Sequence, residues 1–256
     1  MSCKLGKAAG VATTLIALAS VAGAATEALK QQRDGNAPEG FYRRFGKRAC
    51  DIAVGIVALP VVGLVTAACG AAIHLEDNGP IFYNAPRVGK DGREFTMYKL
   101  RSMRVNAPDL VMEDGSTYNG ADDPRMTRVG AFLRQTSLDE IPQFLNVLKG
   151  DMSVVGPRPD LRRETELYQG DEGLKLTVKP GVTGYAAVYG RNSLPWHDRL
   201  ALDVYYVNNL SFPLDAKVFF KTFAAVFAQE GIYVEQASEA GEQPINVSEQ
   251  AAAASE

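Results

Sequence analysis

The sequence predicts a mixed, helix-rich α/β protein: a compact membrane-associated domain with a proline-broken, re-entrant membrane helix and amphipathic interface helices. Three observations lead there. Residues 52–73 form 22 consecutive positions without a charge. Short β-branched and aromatic runs alternate with helical periodicities from Pro80 to Gln229. The composition, 46% hydrophobic and 22% charged over 256 residues, is that of a folded chain long enough for a real core. The net charge of -3 argues against a nucleic-acid binder, and three cysteines without a CxxC pair suggest neither a disulfide framework nor a zinc site. Charge is segregated, however. Residues 235–256 hold five Glu and no Lys or Arg, so the rest of the chain carries +2.

Four segments follow: an apolar helix and linker (1–40), a basic juxtamembrane segment and membrane helix (41–78), a folded domain (79–234) and an acidic, disordered tail (235–256). Residues 8–26 are uncharged but rich in Ala and Gly, and fit a membrane helix, a signal peptide or a helix packed on protein. The run 52–73 is long enough to span a bilayer, yet Pro60 sits inside it and should kink or break the helix. Neither arm alone crosses about 30 Å of hydrocarbon. Arg43, Arg44, Lys47 and Arg48 precede the run, and Arg87, Lys90 and Arg93 follow it. Positive residues favour one side of a membrane, so a helix that enters, bends at Pro60 and returns satisfies both clusters. A kinked straight span or a core helix is the plainer reading. Asp51 stands at helical spacing to pair with Arg48.

Strands are expected at 81–83 and 94–99 around the turn 89–92, followed by a long loop at 106–124. Helices are expected at 127–134, 143–148, 161–168, 194–209 (Ser193 as cap) and 214–229. Further strands are expected at 152–155 and 182–189. The Phe219, Phe220, Phe223 and Phe227 stripe fits core packing or interface binding.

No phosphate loop, GxGxxG or HExxH is present, and two histidines are too few for a histidine-centred site. Ser137-Leu138-Asp139-Glu140 reads either as a capping box or as a paired carboxylate at a helix start. Such a pair can hold Mg²⁺ or attack phosphorus. Gly156-Pro157-Arg158-Pro159 locks the backbone around one arginine, which suits phosphate or a local partner such as Asp160. Arg191 sits in a second glycine turn. Lys99, Arg101 and Arg104 alternate with apolar residues and line either a cleft or a solvated strand face.

Taken in order, several runs resemble the bacterial sugar transferases, the small monotopic phosphoglycosyl transferases. They are Lys47-Arg48-Ala49-Cys50-Asp51, Gly79-Pro80-Ile81-Phe82-Tyr83, Arg87-Val88-Gly89, Tyr98-Lys99-Leu100-Arg101-Ser102-Met103 and Asp123-Pro124-Arg125. Then come Ser137 to Gln143, Leu148 to Ser153, Gly156 to Pro159, Lys179-Pro180-Gly181-Val182-Thr183-Gly184 and Asp203-Val204-Tyr205-Tyr206-Val207. The resemblance implies transfer of a sugar-1-phosphate from a UDP-sugar to polyprenol (undecaprenyl) phosphate with release of UMP. Asp139 would be the nucleophile of a covalent phosphosugar intermediate. Glu140 would hold Mg²⁺, together with Asp139, or assist the acceptor. Arg158, Arg191, Lys99 and Arg101 would bind substrate phosphate, and Asp203, Pro157 and Pro159 would shape the donor site. Pro60, Arg48 and Asp51 would belong to the anchor. It also implies the cytoplasmic face of the bacterial inner membrane, and as partners the bilayer, downstream glycosyltransferases and a second copy of the chain. The main departure is Gly184-Tyr185-Ala186-Ala187, where the family commonly reads Gly-Trp-Ala-Gln; the residues before Phe41 are an addition. A non-catalytic scaffold and a phosphohydrolase are the competing readings.

Overall fold

A computed structural model of the chain describes residues 40–112, 114–120, 123–190, 194–228 and 245–246. The segment 8–26, Ser193, Arg191 and most of the acidic tail lie outside the described residues. The polypeptide enters through a π-helical turn, Tyr42–Gly46, and continues as α1, Lys47–Asp77, 31 residues or roughly 46 Å at about 1.5 Å per residue. One side of α1 carries the buried Asp51, Gly55, Val62, Gly70 and Ile73. Ile56, Val57, Leu59, Val61 and Leu64 on its other sides are exposed. Among the described residues this is the one helix long and apolar enough to cross a membrane.

Both ends of α1 are fastened to the same folded body. At the start, Lys47 Nζ donates to Val155 O (2.8 Å) and to Asp215 Oδ2 (2.6 Å). Arg48 donates to the Val147 and Leu148 carbonyls at 2.6 and 2.9 Å. Asp51 Oδ1 accepts from Ser153 Oγ and Val154 N at 2.8 and 2.9 Å. The expected Arg48–Asp51 pair is therefore not made, because each side chain finds an orphan backbone group of the domain instead. At the far end, Glu76 accepts from the backbone of Arg128 and Val129, and Asp77 accepts from Arg101 Nη1 at 2.6 Å. Pro60 does not end the helix. It is exposed in the middle of one continuous element. An interior proline costs roughly 3 kcal/mol, and the contacts at both ends offset this.

Strands β1 (Ala85–Val88) and β2 (Glu94–Met97) pair antiparallel, with Ala85 opposite Met97. A Phe82–Leu100 bridge continues the same register, so the expected 81–83 segment is the open end of this hairpin. Strand β3 (Leu110–Val111) interrupts the expected loop, and pairs with β6 (Ile245–Asn246). Those two residues are the described part of the tail. Helices α2 (Arg128–Gln135) and α3 (Gln143–Lys149) follow, then β4 (Ser153–Val155), short α4 (Arg162–Thr165) and β5 (Gly181–Thr183), parallel to β4. Next come α5 (Tyr185–Tyr189), α6 (Trp196–Asn208) and α7 (Phe212–Ala228).

The expected strand 182–189 is a strand only to Thr183. Beyond it the chain coils, with Tyr185 stacked on Tyr189 one turn later at 4.4 Å and against Tyr205 of α6 at 5.0 Å. Tertiary packing of aromatic faces overrides their β propensity here. Likewise 161–168 is helical only over α4, and α6 starts after Pro195, which has no N–H to give a helix interior. The main core gathers Met97, Val147, Met152, Val154, Val155, Tyr206, Val207 and Val218, with Val54 of α1 packed on it. A second cluster joins Ile73 of α1 to Leu100 and Leu133.

Candidate active site

Ser137 adopts a left-handed backbone (φ 56°) with no side-chain cap, and delivers the chain into the tight turn Leu138–Glu140. The capping-box reading of this tetrapeptide is thereby set aside, since Glu140 turns to other partners. Leu100 N donates to Asp139 O at 2.9 Å, which pins the turn to the open end of the hairpin. The preceding residue, Lys99, reaches both carboxylates: its Nζ lies 2.8 Å from Asp139 Oδ2 and 3.3 Å from Glu140 Oε1. Arg158 Nη1 lies 3.5 Å from the same Glu140 oxygen.

The two acids differ. Asp139 is 2% exposed, and its Oδ2 has the Lys99 ion pair but no aligned hydrogen-bond donor. Burial pushes its carboxyl up; Lys99 opposes this and Glu140 reinforces it. Burial also pushes Glu140 up, but Lys99, Arg158 and Arg134 outweigh it and bring that carboxyl to about 2. Glu140 is the firm anion, and Asp139 is the more basic carboxylate. Two adjacent carboxylates are hard-oxygen donors of the kind that would suit a Mg²⁺ ion, although Lys99 already faces both. Among the described residues no cluster of three or more His, Cys, Asp or Glu is placed to hold a metal alone.

Arg158 projects from the turn after β4 and is 63% exposed. The turn is held by close backbone approach. Gly156 N donates to Thr183 O, and Gly181 N to Pro157 O. A Cβ on Gly156 would stand 2.6 Å from Lys179 O, so only glycine fits. Pro157 is fully buried beside it. The local partner foreseen for Arg158, Asp160, is engaged elsewhere: it accepts from Lys175 Nζ (2.7 Å) and Tyr168 Oη (2.6 Å). Asp203 joins the same buried lysine at 2.9 Å. Asp203, Pro157 and Pro159 thus lie in or under the Arg158 turn rather than at the acid pair.

Arg101 is not brought to the carboxylates. It is buried, bonded to Asp77, Pro80 O and Met103 O, and fastens α1. Alternation misled here because residues 98–103 are not a regular strand. Three cations that sequence reasoning passed over are close by. Arg134, whose Nη1 donates to Asn119 Oδ1 at 2.6 Å, acts on both acids. Burial lowers Arg87 and Arg199, and the positive charge of Arg158 lowers each further. Arg87 stands in the sequence as a membrane-flanking charge and in the Arg87-Val88-Gly89 run, with no site role drawn from either; Arg199, on α6, carries no local sequence signal.

The sequence model described as bacterial sugar transferase matches residues 42–229. The chain belongs to this family. It is 42% identical over 202 residues to the galactosyl transferase CpsE of Streptococcus agalactiae serotype III, covering 75% of this chain and 45% of that protein. It is 39% identical over 201 residues to the undecaprenyl-phosphate galactose phosphotransferase of Salmonella typhimurium, covering 74% and 42%. The exopolysaccharide production protein ExoY of Rhizobium meliloti is 39% identical over 199 residues, covering 73% and 88%. The chain therefore spans under half the length of CpsE and the Salmonella relative, but most of ExoY. The acid pair, Lys99, the Arg158 turn and the arginines beside it all fall within the family region.

Proposed function

We propose that the protein transfers a sugar-1-phosphate from a UDP-sugar to undecaprenyl phosphate or a similar polyprenol phosphate, releasing UMP. The observation that carries this reading is the convergence of Lys99 and Arg158 on Asp139-Glu140, in a family with a relative named for undecaprenyl-phosphate galactose phosphotransfer. An Asp139 carboxylate oxygen attacks the β-phosphorus. The bond from that phosphorus to the bridging oxygen breaks, and UMP departs with the electron pair. An oxygen of the lipid phosphate then attacks the same phosphorus and expels the Asp139 carboxylate. Lys99 orients Asp139 and Arg158 holds phosphate charge as it shifts toward UMP. Mg²⁺, held by Asp139 and Glu140, would neutralise diphosphate charge. The lipid-linked product is a substrate for downstream glycosyltransferases.

The same reading makes α1 a re-entrant anchor in the inner membrane, with the domain on the cytoplasmic side. Its support is that both ends of α1 bond to one body while its middle exposes apolar side chains around Pro60. A straight span would separate those ends by a bilayer. Phe212, Phe220 and Phe223 of α7 are also exposed, and Phe212 stacks edge-on to Tyr42 beside the start of α1, which supports an interfacial role for α7.

The test is UMP release over a panel of UDP-sugars, with and without undecaprenyl phosphate. Release that requires the lipid supports transfer, lipid-independent release means hydrolysis, and no release means a scaffold. For topology, an impermeant thiol reagent applied outside intact cells should label cysteines on neither flank of 52–73.

A further inference from the structure

Away from the acid pair, Lys175 is a buried ammonium that the transfer chemistry does not use. It is 3% exposed, and its Nζ lies 2.7 Å from Asp160 Oδ2 and 2.9 Å from Asp203 Oδ2. The two carboxylates come from elements that have no other reason to share a cation. Asp160 stands two residues after Arg158, and its backbone oxygen accepts from Val88 N at 2.9 Å, directly beside Arg87. Asp203 stands one helical turn after Arg199 on α6. Tyr168 Oη donates to the Asp160 oxygen that Lys175 holds. Three elements bearing three arginines therefore meet at one lysine.

We propose that Lys175 is a positioning residue for a diphosphate-binding cradle formed by Arg87, Arg158 and Arg199, a proposal that rests on the transfer reading above. Three guanidinium groups repel one another and do not assemble unaided. The lysine with its two carboxylates sums to a net charge of -1 in a dry setting. That charge behind the arginines offsets their mutual repulsion before any substrate arrives. Burial pushes the Asp203 carboxyl up, and Lys175 and Arg199 oppose this, so Asp203 lies within electrostatic reach of Arg199. The exposed Arg158 can then face a dianionic group in bidentate fashion with little rearrangement.

The test uses the full chain in detergent, with inorganic diphosphate as the binding probe by calorimetry and UDP-sugar turnover as the kinetic one. Lys175→Met should weaken diphosphate binding at least tenfold and raise donor KM by a similar factor, leaving acceptor KM within twofold. Lys175→Arg should restore most of both. If Lys175→Met does not fold, Tyr168→Phe, which removes one bond to Asp160 and no charge, should weaken diphosphate binding about threefold. Unchanged diphosphate affinity in the folded variants overturns the proposal, as does a wild-type chain that binds no diphosphate. Diphosphate binding that depends on Lys175, without turnover on any UDP-sugar, keeps the positioning role and discards the transfer reading. Lipid-dependent turnover with diphosphate binding indifferent to Lys175 does the reverse.

Discussion

Two lysines in this protein each face two carboxylates, and the contrast between them separates chemistry from architecture. Lys99 meets Asp139 and Glu140, which are neighbours on one tight turn. Lys175 meets Asp160 and Asp203, which are 43 positions apart and lie on different elements. At Lys99 the cation keeps two like charges together where the surface opens. At Lys175 the cation bridges segments inside the fold. Adjacent carboxylates can be arranged only at an electrostatic cost, so the turn has a use other than holding the chain together. Distant ones converging on one ammonium are a fastening.

The comparison predicts opposite signatures for activity and stability. The largest effect is expected for Asp139→Asn, which should abolish UMP release and covalent labelling by donor, a loss of at least about 10³-fold, while thermal unfolding stays near that of the parent. Normal turnover in that variant would remove Asp139 as nucleophile. Lys175→Met should cost stability as well as donor affinity, by about 3–5 kcal/mol, because it strands two buried carboxylates; denaturant unfolding measures it. Lys99→Met should lower stability less and kcat/KM by about 10–100-fold. It should also move the pH profile. Glu140 is held near 2 largely by Lys99, and loss of that charge raises both carboxyls. The acid limb of kcat/KM should then shift to higher pH, and a fixed limb would argue that Lys99 does not set the ionisation. The smallest effect is expected at Asp77, held at about 2 by its bond to Arg101. Its folded value is below the ordinary 3.8, so its contribution is complete above about pH 4 and is lost as pH falls through 2. Asp77→Asn should therefore lower Tm slightly at neutral pH, and the difference should shrink as pH falls through 2.

What could be read from the sequence was local. The apolar run, the acid pair and the proline-flanked arginine are contiguous and stand out by spacing, although the run stays helical through Pro60 and Ser137 makes no side-chain cap. Residues whose role depends on convergence left no such mark. Lys175 sits in an unremarked stretch, and Arg199 resembles any helix-surface arginine. Both matter only because the parallel β4–β5 pair brings the Arg158 turn over α6. Arg101 shows the reverse error: an alternating basic residue beside Lys99 suggested a shared face, but the irregular backbone sends it to Asp77. The paired charges flanking 52–73 carried more information than Pro60 did. Both flanks do reach the same body, whereas the proline leaves the helix continuous.

Three consecutive residues carry one more consequence. Lys99 holds the acid pair, the Leu100 amide holds the Asp139 carbonyl, and Arg101 holds the end of α1. The end of α1 and the Asp139 turn are joined through a strut of three residues, which spans at most about 10 Å at roughly 3.3–3.6 Å per residue. Such a strut has almost no slack. On the proposed reading, the Asp139-Glu140 turn rides at a fixed height above whatever depth α1 takes, as a gauge block is held to its reference plane.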